Sequence, residues 1–411
     1  MGALTQNCDK LIALAAELGC CLMTSGAEIY RTEESVQRLI QAYGAPFCQV
    51  FAIPNCITVS LTDPDGRPVT QIRRVPSHGT DIDQLEQYNT LCRRLCRETP
   101  PLDEAMAQLA QITRSRRGYP IWVQLFGYFL GCGAFTLFFG GGPVDGLCGG
   151  LCGIAIGICL SIMTRARANL FFKTIAGALF SALVAVALTR LRAEGNLDAI
   201  IIGALMALVP GIAFTNAMRD LIAGDMVSGI SKTAEALLIG TGIALGTALG
   251  LWLSGWQAAT GTTTQTSMLI PCVCAFIACI GFCLLFNIHG AGMLLCATGG
   301  MLGWLVYLLA APLANSAIVQ SFLAALAIAA WSEIMARVRK SPVTSYLLIA
   351  LFPLVPGGGI YYSMQHAMAG QTQAFLDTLL HTLGVAGALA LGVLMVSSAV
   401  RLVTSLRQHH R

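Results

Sequence analysis

The chain contains a succession of long apolar stretches, and this feature constrains its fold more than any other. Each stretch has roughly 17–22 residues, enough to cross a bilayer core of about 30 Å as an α-helix. Only 11% of the residues are charged, whereas about a quarter are charged in soluble proteins. The stretches are residues 119–139, 144–163, 170–188, 199–216, 234–253, 269–286, 290–310, 316–334, 346–362 and 379–400. We therefore predict an all-α polytopic membrane region of about ten transmembrane helices.

The charges are concentrated in the first 118 residues, which hold 25 of the 46 Asp, Glu, Lys and Arg side chains. Helical spacing, β-branched runs and turn residues predict a short series of elements there. They are a helical hairpin broken at 25–26, strands at 47–53, 57–62 and 69–75, and helices at about 81–97 and 101–114. Thr80 is the predicted cap of the first of these two helices. We predict that residues 1–118 form a small α+β cytoplasmic domain.

An alternative function for this domain is catalysis. Ser77, His78 and Asp81 bring together the residue types of a hydrolase triad, although triads are normally assembled from distant chain positions. A strand end, a turn and a helix cap explain the same segment. The sequence has no GxxxxGK[ST] nucleotide motif, no paired-histidine zinc site and no basic stripe with interleaved aromatics. We therefore expect no enzyme, no cofactor, no metal and no nucleic-acid partner.

The distribution of Lys and Arg predicts the orientation of the chain. If the amino end is cytoplasmic, fourteen of the sixteen Lys and Arg residues from Arg114 onward lie in inside loops or tails. Arg190 and Arg192 are the two exceptions, and they stand 147 residues before Arg337 and Arg339. The asymmetry predicts that both termini are cytoplasmic.

An internal repeat offers a reason for the two exceptions. Leu-Val-Pro-Gly occurs at 208–211 and again at 354–357, and seven of eighteen positions match between 208–225 and 354–371. The alternative is that the match is a coincidence, because apolar segments are built from few residue types. Five spans per copy is an odd number, so the second copy must enter the membrane in the opposite sense. The sequence predicts two five-helix inverted repeats, at 119–255 and 268–411, which is the usual plan of secondary transporters.

Each repeated Pro-Gly pair falls inside an apolar stretch, where proline removes a backbone hydrogen bond and breaks or kinks the helix. A helix that restarts inside the bilayer presents unpaired N–H groups and a positive dipole end, which suit a carboxylate. A kink that only shapes packing is the alternative. A glycine run also lets a ligand approach the backbone, and amide and phenol groups supply hydrogen bonds. The predicted substrate-binding residues are Pro210, Gly211, Asn216, Pro356, Gly357, Gly358, Gly359, Tyr361 and Tyr362.

Two acidic residues near membrane depth are candidates for proton coupling. Asp220 follows the first Pro-Gly pair, and Glu333 lies near the inner end of its span. A carboxylate at a helix centre costs roughly 2.5–3.5 kcal/mol on insertion scales, so its presence requires a reason. The alternative is that Arg219 with Asp220, and Glu333 with Arg337, form ordinary interfacial ion pairs.

Glycines recur at every fourth position at 149, 153 and 157 and again at 242, 246 and 250. Such ladders are typical of helix packing seams. The same faces could also join two copies of the chain, so the sequence leaves a homo-oligomer open.

Three parts of the chain contain distinctive motifs. They are Ser-Gly-Ala-Glu at 25–28, Arg-Arg-Val-Pro at 73–76 with Gly-Thr-Asp at 79–81, and Asn-Ala-Met-Arg-Asp-Leu-Ile-Ala-Gly-Asp at 216–225. These motifs resemble those of the threonine/serine exporter family. Residues up to about 255 are similar to the larger component of the family, and residues from about 268 to the smaller component, which some bacteria encode separately. The resemblance implies a fused exporter of small hydroxy amino acids in the bacterial inner membrane, driven by the proton motive force. Split relatives are implicated in succinate export.

These expectations describe a secondary active, proton-coupled exporter of a small solute that carries a carboxylate. Its partners would be that solute, protons and the lipid bilayer. A membrane-anchored enzyme and a passive channel are the alternatives.

Overall fold

The computed structural model describes residues 2–409 of the chain, apart from residues 46, 64–65, 77–78, 116–117, 193–194 and 256–268. The chain divides into two compact units. Unit 1 comprises Met1–Gly118 together with Phe286–Ile288, and unit 2 comprises Tyr119–Leu285 and His289–Arg411. Most described residues are helical.

Unit 1 combines helices with a small antiparallel sheet in the order β1-β2-β3. Its elements are α1 Gly2–Thr24, α2 Ile29–Ala42, β1 Cys48–Ile53, β2 Cys56–Thr62, β3 Pro68–Arg74, α3 Ile82–Glu98 and α4 Leu102–Arg114. Alternate residues of β2, namely Ile57, Val59 and Leu61, are buried, as the two-residue period of a strand requires. The three predicted strands of the amino-terminal region are confirmed.

The cap of α3 is Asp81 and not the predicted Thr80. The Asp81 carboxylate accepts a hydrogen bond from the backbone N–H of Gln84 at 3.2 Å. Threonine and aspartate are both good caps, and the backbone path decides which of two adjacent side chains reaches the open N–H groups. Ser77 and His78, the other residues of the hydrolase alternative, lie outside the described residues.

Two of the stretches that carry the family resemblance meet inside unit 1. The backbone N–H of Asp81 donates to the carbonyl of Ser25 at 3.2 Å. Gly26 has a φ of 98°, and a Cβ at this position would lie 3.1 Å from the carbonyl oxygen of Gly79. The second oxygen of the Asp81 carboxylate accepts from the side-chain amide of Asn287 at 3.1 Å. These stretches therefore have a structural role, and they hold the distant Phe286–Ile288 segment in unit 1.

Unit 2 consists of helices. They are α5 Ile121–Phe138, α6 Pro143–Arg165, α7 Leu170–Arg192, α8 Leu197–Leu205, α9 Gly211–Ala223, α10 Met226–Leu253, α11 Leu269–Leu285, α12 Ala291–Ala310, α13 Ala317–Arg339, α14 Thr344–Leu351, α15 Gly357–Met368 and α16 Thr372–His409. A short 3₁₀ turn, Phe352–Leu354, follows α14.

Among the described residues, seven helices are long and apolar enough to cross a membrane: α5, α6, α7, α10, α12, α13 and α16. An eighth span results if α14 and α15, which are bent by 50° at their junction, are taken together. Helix α11 has 17 residues, and α8 and α9 have 9 and 13. The protein is therefore a multi-pass membrane protein with seven or eight candidate spans, while the count of ten and the repeat stay predictions.

Both glycine ladders are packing seams within the chain, as predicted. The ladder of α6 faces α5, and a Cβ at Gly153 would lie 2.6 Å from the carbonyl oxygen of Tyr128. The ladder of α10 faces α7, and a Cβ at Gly246 would collide with the carbonyl oxygen of Ile175. Because small residues let the backbones approach closely, one chain occupies both of these helix faces by itself.

The two arginines that depart from the charge asymmetry have partners in unit 2. Arg192 donates to the Asp145 carboxylate at 2.9 Å, and Asp145 is 7% exposed. The same carboxylate accepts from the backbone N–H of Gly142 at 2.9 Å. Arg190 donates to the backbone carbonyl of Ser254. Local packing is thus a reason for these arginines, in addition to the proposed inheritance through a repeat.

The packing seam between α10 and α7 predicts which glycines tolerate a methyl group. Gly246→Ala should destabilise the protein by about 1–3 kcal/mol, because the obstructing atom is a backbone carbonyl that cannot turn away. Gly387→Ala is the matched control, since its Cβ would find one side-chain atom, 3.7 Å away. Thermal unfolding of the purified variants measures both. Equal unfolding temperatures would contradict the seam.

Candidate functional site

The first Pro-Gly pair interrupts a helix, as predicted. Helix α8 ends at Leu205, and α9 begins at Gly211 directly after Pro210. The break is consistent with the lack of an N–H on proline, which leaves the preceding turn without a hydrogen bond. The backbone N–H of Val209 still donates to the carbonyl of Leu205 at 3.0 Å, so the irregular segment is short.

The second Pro-Gly pair makes a corresponding break. Helix α14 ends at Leu351, the chain tightens into the 3₁₀ turn, and α15 begins at Gly357 after Pro356. The two helical parts are bent by 50°. Both repeated elements therefore have the same order of helix, break and helix, with the restart at the glycine.

The two breaks lie against each other in unit 2. A Cβ at Gly357 would lie 2.5 Å from Cγ1 of Val209, and a Cβ at Gly211 would overlap Cγ1 of Val355. Val209 and Val355 hold the same position in the two Leu-Val-Pro-Gly segments, and so do Gly211 and Gly357. Each valine thus fills the space that the missing side chain of the opposite glycine leaves. We call these four residues the valine–glycine contact.

A second contact is reciprocal in the same way. The Thr241 hydroxyl of α10 lies 3.2 Å from the sulfur of Met364 on α15. On the other side, a Cβ at Gly387 of α16 would lie 3.7 Å from Cε of Met218 on α9. Met218 and Met364 are 146 residues apart, and so are Thr241 and Gly387. The spacing equals that of the repeated Leu-Val-Pro-Gly segments.

A pair of thiol hydrogen bonds joins similar positions, with spacings that differ by one residue from 146: Cys132 and Cys279 are 147 residues apart, and Ala204 and Ile349 are 145 residues apart. The Cys132 thiol of α5 donates to the carbonyl of Ala204 on α8 at 3.4 Å. The Cys279 thiol of α11 donates to the carbonyl of Ile349 on α14, also at 3.4 Å. The two halves of unit 2 therefore each contain a cysteine thiol that donates to a carbonyl of the helix before the break.

The glycine run 357–359 faces side chains of unit 2 in this conformation. The first glycine faces Val209, the second would place a Cβ 3.3 Å from Ile202, and the third faces the hydroxyl of Thr382. The space in which a ligand would approach the backbone is therefore filled.

The predicted polar residues lie on the two restarted helices. Tyr361 is 7% exposed and Tyr362 is 39% exposed, and their ring centroids are 5.2 Å apart. Asn216 is half-buried on α9. Beside it, Thr215 is 4% exposed, and its hydroxyl makes no hydrogen bond within the described residues. The sequence analysis did not predict Thr215 as a site residue. It could have done so, because a hydroxyl side chain lies about one helical turn after the Pro-Gly break.

Asp220 forms a buried ion pair at the far end of α9. It is 2% exposed, and one carboxylate oxygen accepts from Lys232 at 2.6 Å and from the Ser228 hydroxyl at 2.7 Å. The alternative given in the sequence analysis was an interfacial ion pair of Asp220 with its neighbour Arg219. Gly224 ends α9 with a φ of 98°, and this sharp turn brings α10 back so that Lys232 can reach the carboxylate.

Glu333 lies apart in an ion pair of its own on α13. It is 8% exposed, and an oxygen of its carboxylate lies 3.7 Å from a guanidinium nitrogen of Arg337. The sequence analysis gave this ion pair of Glu333 with Arg337 as the alternative to a role in proton coupling. Among the residues that the structure describes, no group of three or more His, Cys, Asp or Glu side chains could hold a metal ion.

Comparison with known families gives consistent results over both units. Two family models described as threonine/serine exporter match the chain, one over residues 13–254 and the other over residues 271–399. The second carries the description Threonine/Serine exporter, ThrE. No solved structure gives a significant match.

Curated relatives are distant but extensive. A Mycobacterium tuberculosis protein named Probable threonine/serine exporter is 24% identical, over 94% of this chain and 75% of its own length. A Corynebacterium glutamicum protein named Threonine/serine exporter is 23% identical, over 93% and 81% respectively. A Saccharomyces cerevisiae protein named Pheromone-regulated membrane protein 10 is 26% identical, over 82% of this chain and 45% of its own length.

The ion pair of α9 and α10 predicts a selective loss of stability. Lys232→Met leaves the Asp220 carboxylate buried beside one hydroxyl, and breaking a buried pair in this way costs about 3–5 kcal/mol. Adding Asp220→Asn should recover most of that loss, because the uncompensated charge is removed. The measurement is thermal unfolding of the purified variants.

Arg38→Met is the control, since it breaks an exposed pair with Glu34 whose side chains are 70% and 48% exposed. That change should cost less than about 1 kcal/mol. Similar losses of stability in Lys232→Met and Arg38→Met would show that the buried ion pair stabilises the protein no more than the exposed one.

Proposed function

The chain belongs to the threonine/serine exporter family, and from this premise we propose that it exports threonine, serine or a related small solute with a carboxylate. The relatives that carry this name align with more than nine-tenths of the chain. The family is one of transporters and not of enzymes, so a catalytic role for residues 1–118 is not favoured. Succinate, to which the resemblance connects split relatives, is the second solute to test.

The observation that carries the proposal is the meeting of two interrupted helices at their amino-terminal starts. Helices α9 and α15 begin at Gly211 and Gly357, which lie on either side of the valine–glycine contact. The first turn of a helix leaves N–H groups without an intrahelical partner and carries about half a positive charge. At the start of α15, the N–H of Gly357 donates to the carbonyl of Val355 at 2.7 Å, so the N–H groups that follow it are the ones open to a solute. A carboxylate is the group that threonine, serine and succinate share, and it is the group that such a site attracts.

Side chains next to the breaks supply further polar groups for the solute. Asn216, Tyr361 and Tyr362 can donate and accept hydrogen bonds on α9 and α15. The buried hydroxyl of Thr215 supports the same assignment, because buried polar groups normally have a partner. A solute that entered between α9 and α15 would offer a hydrogen-bond partner to the Thr215 hydroxyl.

Transport in this proposal proceeds by alternating access between two inverted five-helix repeats, residues 119–255 and 268–411. The reciprocal contacts of unit 2 support the repeat, since two matching patches that contact each other reciprocally are typical of a two-fold axis. Two halves related in this way can rock about one central site. The Pro-Gly breaks would stand at that site.

Proton coupling is assigned to Asp220, with Glu333 as the second candidate. The Asp220 carboxylate is held by Lys232 on α10. Protonation removes its negative charge and with it the attraction to the ammonium group, so α9 and α10 are free to separate. Because α9 begins at the substrate site and ends near this pair, a proton taken up at Asp220 can bias the conformation of the site.

The proposed orientation places both termini and residues 1–118 in the cytoplasm of a bacterial cell, with the helices in its inner membrane. The excess of Lys and Arg in the corresponding loops supports this orientation. Export then moves the solute from the side that holds both termini to the opposite side.

Reconstituted transport tests the function directly. Proteoliposomes that contain the purified protein should move labelled threonine or serine against its gradient when a pH gradient is imposed. This transport should stop when a protonophore collapses the pH gradient. Flux that only follows the solute gradient would identify a channel, and the absence of flux for threonine, serine and succinate would refute the proposed substrate class.

The two prolines are expected to be required for transport but not for insertion. Pro210→Ala and Pro356→Ala each restore a backbone N–H and so favour a continuous helix across the break. A change of about 1.4 kcal/mol in the conformational balance would lower the initial rate about tenfold. Wild-type rates in both variants, at equal amounts of inserted protein, would rule out the breaks as the site.

The proposed role of Asp220 predicts a change in pH dependence. Asp220→Asn keeps an oxygen for Ser228 but cannot take up a proton, so the rate should lose most of its response to the pH gradient. Asp377→Asn is the control, because Asp377 is an exposed carboxylate on α16. If the two variants respond to pH as the wild type does, the proton is carried elsewhere, and Glu333→Gln is the next variant to measure.

A further inference from the structure

We propose that the valine–glycine contact is a closed gate, and that the volume of Val209 and Val355 limits the size of the solute that passes. This inference rests on the proposed function, because a gate requires a transported solute. It concerns the four residues Val209, Gly211, Val355 and Gly357, and it adds a determinant of specificity to the site.

The two members of each valine–glycine pair differ in burial. Val209 and Val355 are half-buried, whereas the glycines that they face are buried. Further along α9 and α15, Phe214 and Ile360 are fully buried with α10 and α16 around them. The valine methyl groups therefore cover the starts of α9 and α15, and the polar side chains of Thr215 and Tyr361 on these helices are buried as well.

The contact opens as one element because it is reciprocal. Separating α9 from α15 withdraws Val355 from Gly211 and Val209 from Gly357 in the same movement. Each withdrawal uncovers the backbone N–H groups of one helix start, which are the groups that attract a carboxylate. The gate and the binding site are thus made of the same residues, and the solute replaces the valine methyl groups.

The fit of the contact predicts a preference for small solutes. Each valine occupies a space that only a glycine leaves, and the overlap of Val355 with a Cβ at position 211 shows that no spare volume exists. A solute with a short side chain requires a small separation of the helices. Replacing the valines with alanine removes two methyl groups from each side of the opening and should admit longer side chains.

A rescue experiment tests the pairing. Gly211→Ala places a methyl group on Val355 and should lower threonine flux into proteoliposomes at least about tenfold, because the closed state cannot form. Val355→Ala in the same chain removes the colliding atom and should restore flux. Val209→Ala in the same chain is the mismatched control and should not restore it.

The mirror set repeats the test at the other half of the contact. Gly357→Ala should be rescued by Val209→Ala and not by Val355→Ala, because the atom nearest to that Cβ is Cγ1 of Val209. The unfolding temperature of each purified variant reports whether the contact itself follows the same pairing. Rescue of stability without rescue of flux would mean that the contact is packing, and would overturn the gate.

Substrate range is the second measurement. The Val209→Ala/Val355→Ala double variant should raise the ratio of leucine flux to threonine flux about tenfold, since a hydrophobic constriction discriminates by about that factor per methylene. Val186→Ala, which removes the same volume from a fully packed position of α7, is the control and should leave the ratio unchanged.

The outcomes separate the gate from the proposed function. If the wild-type protein moves none of the three solutes, the proposed function fails. If the wild-type protein transports but the matched and mismatched rescues are equal, or the leucine ratio does not change, the function stands and the gate is refuted.

Discussion

The interruption of two helices inside apolar segments is the constraint on which the rest of unit 2 depends. A backbone that leaves the helix in an apolar environment loses hydrogen bonds that lipid cannot replace, so it must be enclosed by protein. The structure meets this requirement by packing the two breaks against each other, Val209 on Gly357 and Val355 on Gly211. The glycine seams of α6 and α10 serve the same end, because they bring the surrounding helices close enough to enclose the breaks.

The enclosure gives the protein two properties at once. Packing of valine into glycine makes the contact tight, and the helix starts behind it hold a charge preference for a carboxylate. In the proposed function, a stable contact that covers the substrate site suits alternating access, because the site must be open to one side of the membrane at a time. Asp220, which forms a buried pair with Lys232 of α10, lies on the same helix as one of the breaks, so in the proposed function a change of charge there acts on the helix that bears the site.

The stretches that carry the family resemblance turn out to have different physical roles. In unit 1, Asp81 caps α3 and binds Asn287, and Gly26 supplies a left-handed turn. In unit 2, the stretch at 216–225 contains the buried carboxylate of Asp220 and the turn at Gly224. A motif in the sequence therefore identified the family but did not by itself distinguish a structural residue from one that acts in transport.

The sequence by itself determined the membrane class, the three strands, the glycine seams and the positions of the two breaks. Each of these follows from local chemistry, namely apolar length, side-chain alternation, glycine spacing and the missing N–H of proline. Tertiary structure decided which side chains meet: the valine–glycine contact, the pair of Lys232 with Asp220, and the buried hydroxyl of Thr215, which has no hydrogen-bond partner among the described residues. Such contacts join residues far apart in the chain or across a turn, and their geometry depends on helix rotation and packing, which no local pattern specifies.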